Sequence, residues 1–237
     1  MIGLLLLCHS CFLFFFFVLQ ILCIHGYRQT GQTFREKTGS LRKILKKHAQ
    51  FVYIDAPNIV KSGKEDGSQS GEERGWWFSD KEGGFLASQH TSVNPGYEES
   101  LDTIATALRE QGPFDGILAF SQGAALLALI CGLREQGDSR FIFNFAILVA
   151  GFRSLSSGHD SCFTQKVTCP TLHVFGNTDQ VIPKESSEDM LQYFVDPTII
   201  NHNGGHYVPA TSAEKKVYLS FLEAQKEKKR EMGESTS

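Results

Sequence analysis

The chain of 237 residues lacks a decisive charge, with Lys+Arg at 23 against Asp+Glu at 26 and a formal net charge of -3. Its basic residues are scattered rather than gathered on one stripe, so the electrostatic footprint of a nucleic-acid binder is missing and no nucleic-acid partner is expected. The sequence has no Gly-X-Y period, and charged residues at 21% with hydrophobic residues at 41% are ordinary for a globular protein. That composition excludes a collagen-like or wholly disordered chain. The length allows one large domain or two small ones, and no internal repeat is visible. Six cysteines are present without a disulfide-like framework. Cys8, Cys11 and Cys23 fall in an apolar head, and Cys131, Cys162 and Cys169 are scattered among apolar or turn neighbours. Buried free thiols are the expected state. Cys8 and Cys11 form a C-x-x-C with no second pair to complete a zinc site.

Charge is absent altogether from Ile2 to Ile24, a stretch interrupted only by Gly3, His9, Ser10 and Gln20. Phe12, Phe14, Phe15, Phe16 and Phe17 sit within it. It is long enough to span a bilayer. No Lys or Arg precedes Arg28, so the basic n-region of a secretory signal is missing. Ile21 to Ile24, leading to His25-Gly26, are claimed by what reads as the first buried strand. This leaves about Ile2 to Leu19 for a membrane, only marginally enough. The favoured reading makes residues 1–17 an atypical apolar N-terminal segment fused onto a soluble domain. A membrane anchor through residues 1–17 is the alternative, followed by a signal peptide.

Beyond the head, short apolar runs alternate with longer amphipathic ones, the pattern of an α/β domain with a mostly parallel sheet. Strands are expected at Ile21–Ile24, Phe51–Ile54, Gly116–Phe120, Phe145–Val149, Thr171–Phe175 and Thr198–Ile200. Helical spacing covers Gln32–Lys47, Tyr97–Gln111, the apolar run Gly123–Leu133, Glu185–Phe194 and Ser212 to about Lys228. Asn58 to Pro95 lacks periodicity and reads as an insertion or lid-like loop. A single domain over residues 18–225 accounts for these elements, with residues 226–237 as a solvated polar tail.

The strongest chemical signal is Ala119-Phe120-Ser121-Gln122-Gly123, set between the strand Gly116–Phe120 and the apolar helix. A nucleophile elbow needs a tight strand-to-helix turn, with small residues two before and two after the serine. Gly123 supplies one, and Ala119 stands where a glycine is usual. The bland alternative makes Ser121 a helix N-cap. In hydrolases built this way an acid and then a histidine follow the serine. Asp179 lies just past the strand ending at Phe175, where it also suits a turn. His206 follows Asn203-Gly204-Gly205 in a late loop. Asp138, Asp160, Asp189 and Asp196 are worse placed acids, and His202, His173 and His159 are the rival histidines. The turn after the first strand should hold one oxyanion donor, assigned to the Tyr27 N–H, and Gln122 N–H should supply the second. Trp76-Trp77-Phe78 would either line an apolar acyl pocket or pack the insertion onto the core.

His25-Gly26-Tyr27-Arg28-Gln29, Phe34-Arg35-Glu36-Lys37-Thr38-Gly39, Arg74-Gly75-Trp76-Trp77-Phe78, Gly112-Pro113-Phe114-Asp115-Gly116, Phe120-Ser121-Gln122-Gly123, His173-Val174-Phe175-Gly176 with Asp179, and Gly204-Gly205-His206 together resemble the FSH-type family of serine hydrolases. The likeness runs from about Leu22 to Leu222. It implies an α/β-hydrolase fold with helices on both faces of the sheet. It also implies carboxylesterase activity on small-molecule acyl esters, with Ser121, Asp179 and His206 as triad and no metal or organic cofactor. A cytoplasmic or nuclear location follows from it. Ala119 and the Phe-rich head depart from the family pattern. An acyl thioesterase and a non-catalytic binding protein of the same fold are the alternative functions.

Overall fold

A computed structural model describes residues 18–61 and 72–234. The apolar head at 1–17, with its C-x-x-C, lies outside the described residues, as do positions 62–71 of the insertion. Among the described residues eight strands and six α-helices follow one another as β1 (Leu19–Ile24), α1 (Gly31–Lys37), α2 (Gly39–Leu45), β2 (Ala49–Ile54), β3 (Asn58–Ile59), β4 (Arg74–Gly75), α3 (Tyr97–Glu110), β5 (Gly116–Phe120), α4 (Gln122–Glu135), β6 (Phe145–Val149), β7 (Thr171–Gly176), α5 (Lys184–Leu191), β8 (Thr198–His202) and α6 (Ser212–Glu234), with a 3-10 helix at Ser157–Phe163 between β6 and β7. Six strands form one sheet in the order β2-β1-β5-β6-β7-β8, every pairing parallel. Strands buried on both faces need no apolar-polar alternation, which is why they read as continuous apolar runs.

Alternate residues of those strands face two separate cores. Leu22, Ile24, Ile117, Ala119 and Leu148 meet α3 and α4 through Leu101, Ile104 and the apolar flank of α4. Ile21, Cys23, Leu118, Phe145, Ile147 and Val174 meet Phe34, Leu41 and Leu45 from α1 and α2, and Tyr218, Phe221 and Leu222 from α6. The chain is an α/β-hydrolase fold. From β1 it steps outward to β2, then returns to β5 on the other side of β1 and proceeds outward to β8. Neighbouring connections therefore leave the carboxyl ends of β1 and β5 in opposite directions. The crevice opened there is where sheets of this kind take their ligands.

Three elements differ from the sequence reading. The helix expected over Gln32–Lys47 is two helices divided at Thr38. The Thr38 hydroxyl bonds back to Phe34 O at 2.8 Å and Arg35 O at 3.2 Å and meets the Tyr53 hydroxyl at 2.6 Å. Such back-bonding competes with helix propagation. Of the tail expected from Lys226, residues up to Glu234 instead continue α6, and Lys229 Nζ reaches Asp115 Oδ1 at 2.6 Å. The insertion is not wholly irregular, because β3 and β4 pair antiparallel, Asn58 with Gly75 and Ile59 with Arg74. Cys23, Cys131, Cys162 and Cys169 are free and buried. Among the described residues no helix is long and apolar enough to cross a membrane.

Candidate active site

Ser121 is the hinge between β5 and α4, with φ 54 and ψ -118. A non-glycine residue at positive φ is strained, and here the neighbours hold it in place. Ser121 N–H donates to Val149 O at 2.8 Å, fixing the turn to β6. Gly123 permits the close approach of α4 to β1, since a Cβ there would run into the His25 carbonyl oxygen. Ala119 is fully buried between Ile24 and Leu148 and accommodates the turn with its methyl group. The helix-cap alternative does not hold, because the Ser121 side chain makes no capping hydrogen bond to α4.

The structure brings Ser121, Asp179 and His206 together. His206 Nε2 lies 3.0 Å from Ser121 Oγ, and His206 Nδ1 lies 2.7 Å from Asp179 Oδ2. Asp179 is also the turn former that its sequence context suggested. Its Oδ1 accepts the N–H groups of Val181 and Ile182 at 2.8 and 2.9 Å. One carboxylate oxygen thus makes the turn while the other meets His206. The Phe120 ring, 4.7 Å from the imidazole of His206, closes one side. Rival residues point elsewhere. His202 Nδ1 accepts the Gly204 N–H at 3.2 Å, His173 is buried inside β7 against Phe194, and His159 is buried with Nδ1 against Ser154 at 2.7 Å. Asp138 and Asp160 pair with Arg140 and Arg153.

Tyr27 follows the end of β1, and no partner among the described residues takes its backbone N–H. Gln122 opens α4, and the first N–H groups of a helix have no intrahelical acceptor. The positive end of the helix dipole adds to the field at this point. His25 ties the turn to its surroundings. Its Nε2 accepts the Ala56 N–H at 2.9 Å and its Nδ1 meets Gly26 O at 2.7 Å. Burial pushes its pKa down to about 4, so it stays neutral.

A family model described as serine hydrolase (FSH1) matches residues 18–218. The chain belongs to the FSH1 serine hydrolase family. Esterase OVCA2 of Xenopus tropicalis is 50% identical over 214 residues, covering 87% of this chain and 93% of that protein. Esterase OVCA2 of Homo sapiens is 43% identical over 217 residues, covering 86% and 96%. Among solved structures, SOBER1 of Arabidopsis thaliana superposes with a TM-score of 0.59 at 18% identity, over 88% of this chain and 99% of that one. That likeness is one of fold.

In this FSH1 serine hydrolase, Ser121 and His206 open onto a cavity of about 840 Å³. Phe85, Leu86, Phe152, Leu155 and Ile182 give it apolar walls, with Arg153, Asp189 and Gln192 among its polar lining. Trp76 and Trp77 do not line it. They are 0% and 2% exposed, packed in the core shared with α3 and α4. Of the two outcomes the sequence left open for these tryptophans, the structure takes core packing. The insertion instead contributes Phe85-Leu86-Ala87, an apolar triplet in a polar surround that sequence reasoning passed over.

Proposed function

We propose that this serine hydrolase is a carboxylesterase acting on small-molecule acyl esters, with Ser121 as nucleophile, His206 as general base and acid, and Asp179 as its orienting carboxylate. The observation that carries the reading is the chain of contacts from Ser121 Oγ through His206 to Asp179, at 3.0 and 2.7 Å, at the wall of a largely apolar cavity. His206 Nε2 takes the hydroxyl proton as Oγ attacks the ester carbonyl carbon. The carbonyl oxygen, now an anion, is received by the N–H groups of Tyr27 and Gln122. Collapse expels the alcohol with the proton from His206, leaving an acyl-serine. Water, deprotonated by the same imidazole, then releases the acid. Asp179 keeps the Nδ1–H tautomer in place and stabilises the imidazolium.

The Esterase names of the relatives favour oxygen esters over thioesters. Replacing Ser121 by Ala is expected to abolish both turnover of a chromogenic acyl ester and labelling by a fluorophosphonate probe. Undiminished labelling of that variant would remove Ser121 from its role, and a folded wild-type protein that resists the probe would point to a binding function. Comparing oxygen ester and thioester of the same acyl group separates esterase from thioesterase. Faster thioester cleavage at equal acyl length would overturn the ester assignment.

A further inference from the structure

The segment Arg74–Trp77 touches both elements whose N–H groups the proposed mechanism uses. On one side the Arg74 carbonyl accepts the Arg28 N–H at 2.8 Å, and Trp76 Nε1 donates to the His25 carbonyl at 2.7 Å. These bonds bracket Tyr27 in the chain. Gly75 packs so close to the Tyr27 ring that a Cβ there would lie 3.0 Å from its Cδ2. On the other side, the fully buried side chain of Gln122 grips the same segment twice. Its Oε1 accepts the Trp76 N–H at 2.9 Å, and its Nε2 donates to the Trp77 carbonyl at 2.7 Å. The segment is itself anchored. Asn58 Nδ2 donates to Trp76 O at 3.0 Å, the Ser100 hydroxyl donates to the same oxygen, and Arg74 Nη1 donates to Ala56 O at 2.8 Å.

We infer that Arg74–Trp77 is a brace that sets the separation of the Tyr27 and Gln122 N–H groups, and that the Gln122 side chain is a positioning residue for the oxyanion site. The inference rests on the proposed role of those two N–H groups. A primary amide is suited to this clamp because it offers an acceptor and a donor on one planar group. Methionine at 122 would keep the volume and the backbone N–H while leaving the Trp76 N–H and Trp77 carbonyl without those partners. Stabilisation of a developing oxyanion depends steeply on where its donors stand, and a misplacement of about 1 Å costs on the order of 100-fold. On this account the insertion acts on the chemistry through a fixed contact rather than as a moving cover.

The test uses the full chain with Gln122→Met, Trp76→Phe and the double variant. Four quantities are read: kcat and KM on a chromogenic acyl ester, inhibition by a trifluoromethyl ketone, and inhibition by the unreactive ether of equal length. Addition of Ser121 Oγ to the ketone carbon turns its C=O pair into an oxyanion while the hydroxyl proton passes to His206, so the ketone reports on the oxyanion site. Gln122→Met should lower kcat by about 10- to 100-fold and weaken the ketone by the same factor, with KM and ether inhibition held within about twofold. Trp76→Phe, which keeps an aromatic ring but loses the N–H given to the His25 carbonyl, should act in the same direction. The double variant should lose less than the product of the two single losses, because both break one brace. If Gln122→Met does not fold, Trp76→Phe carries the same split between kcat and KM. Unchanged kcat in the folded variants would overturn the brace, as would KM and ether inhibition worsening in step with kcat. Loss of turnover in Ser121→Ala with none in Gln122→Met overturns the brace alone. Turnover retained in Ser121→Ala overturns the esterase reading and the brace with it.

Discussion

The two oxygens of Asp179 serve different partners, the N–H groups of Val181 and Ile182 on one side and His206 on the other. Substitutions at this position can therefore separate shape from chemistry. An Asn side chain can still accept from the turn with its oxygen, while its NH₂ group faces His206 and favours the wrong tautomer. Asp179→Asn is expected to lower kcat by roughly 10³- to 10⁴-fold with little change in thermal midpoint. Asp179→Ala should be as inactive and also less stable by about 1–2 kcal/mol, since two N–H groups lose their acceptor. Equal midpoints for the two variants in thermal unfolding would contradict this division. At this scale the sequence was informative where chemistry is tied to chain order. Ser121, Asp179 and His206 stand at element ends in the sequence expected of this fold. It pointed to the Gln122 N–H but was silent on the side chain, because a glutamine after a serine carries no mark of a partner 46 residues away. Trp76 and Trp77 announced burial but not the cavity or core they would enter.

At the scale of elements, α4 depends on a close approach. Its register against β1 is set at Gly123, where a Cβ meets the backbone of His25 and the side chain of Ile24. Backbone cannot move aside as a flexible side chain can, so Gly123→Ala is expected to cost about 1–3 kcal/mol and to slow fluorophosphonate labelling. A variant with wild-type midpoint and labelling rate would show that the helix shifts freely. α6 makes the opposite point, that charged residues do not mean a solvated coil. Lys and Glu are good helix formers, and Lys229 finds Asp115, whose side chain is only 7% exposed and also accepts the Gln20 N–H at 2.8 Å. Lys229→Met should lower stability by roughly 1 kcal/mol, less in high salt, because the lysine is partly exposed to solvent. Thermal midpoints at low and high ionic strength check this. The strands were legible because burial on both faces leaves uninterrupted apolar runs. The break at Thr38 was not, since it depends on a hydroxyl reaching Tyr53 in the next strand, which periodicity cannot register.

For the molecule as a whole, burial has fixed several histidines in the neutral form. It pushes His25 and His159 down to about 4 and His173 to about 3, and lowers His48 and His202 in the same direction. In the unfolded chain such groups take up protons near pH 6.5. The unfolded state thus binds more protons between about pH 6.5 and 4, and stability rises with pH across that window. It is complete above the unfolded value and is lost as the pH falls toward the folded ones. The three most shifted histidines alone bring roughly 4 kcal/mol per pH unit near pH 5. Urea midpoints at pH 7, 6 and 5 should fall steeply, and His173→Leu should reduce the slope by about one proton. A flat profile would mean that these rings are protonated in the native state.

The ends of the described chain share a location. Gln20 at the start of β1 and Lys229 near the close of α6 both bond to Asp115, at the foot of β5. Ser121 stands at the head of that same strand, which rises about 3.3 Å per residue over its five residues. Asp115 therefore marks the pole away from the cavity. A carrier or surface joined through the side chain of position 229 is held at that pole, away from Ser121. Orientation on a support thus comes from the topology itself, and a protein immobilised through a single attachment at position 229 should hydrolyse a dissolved ester at the rate of the free protein.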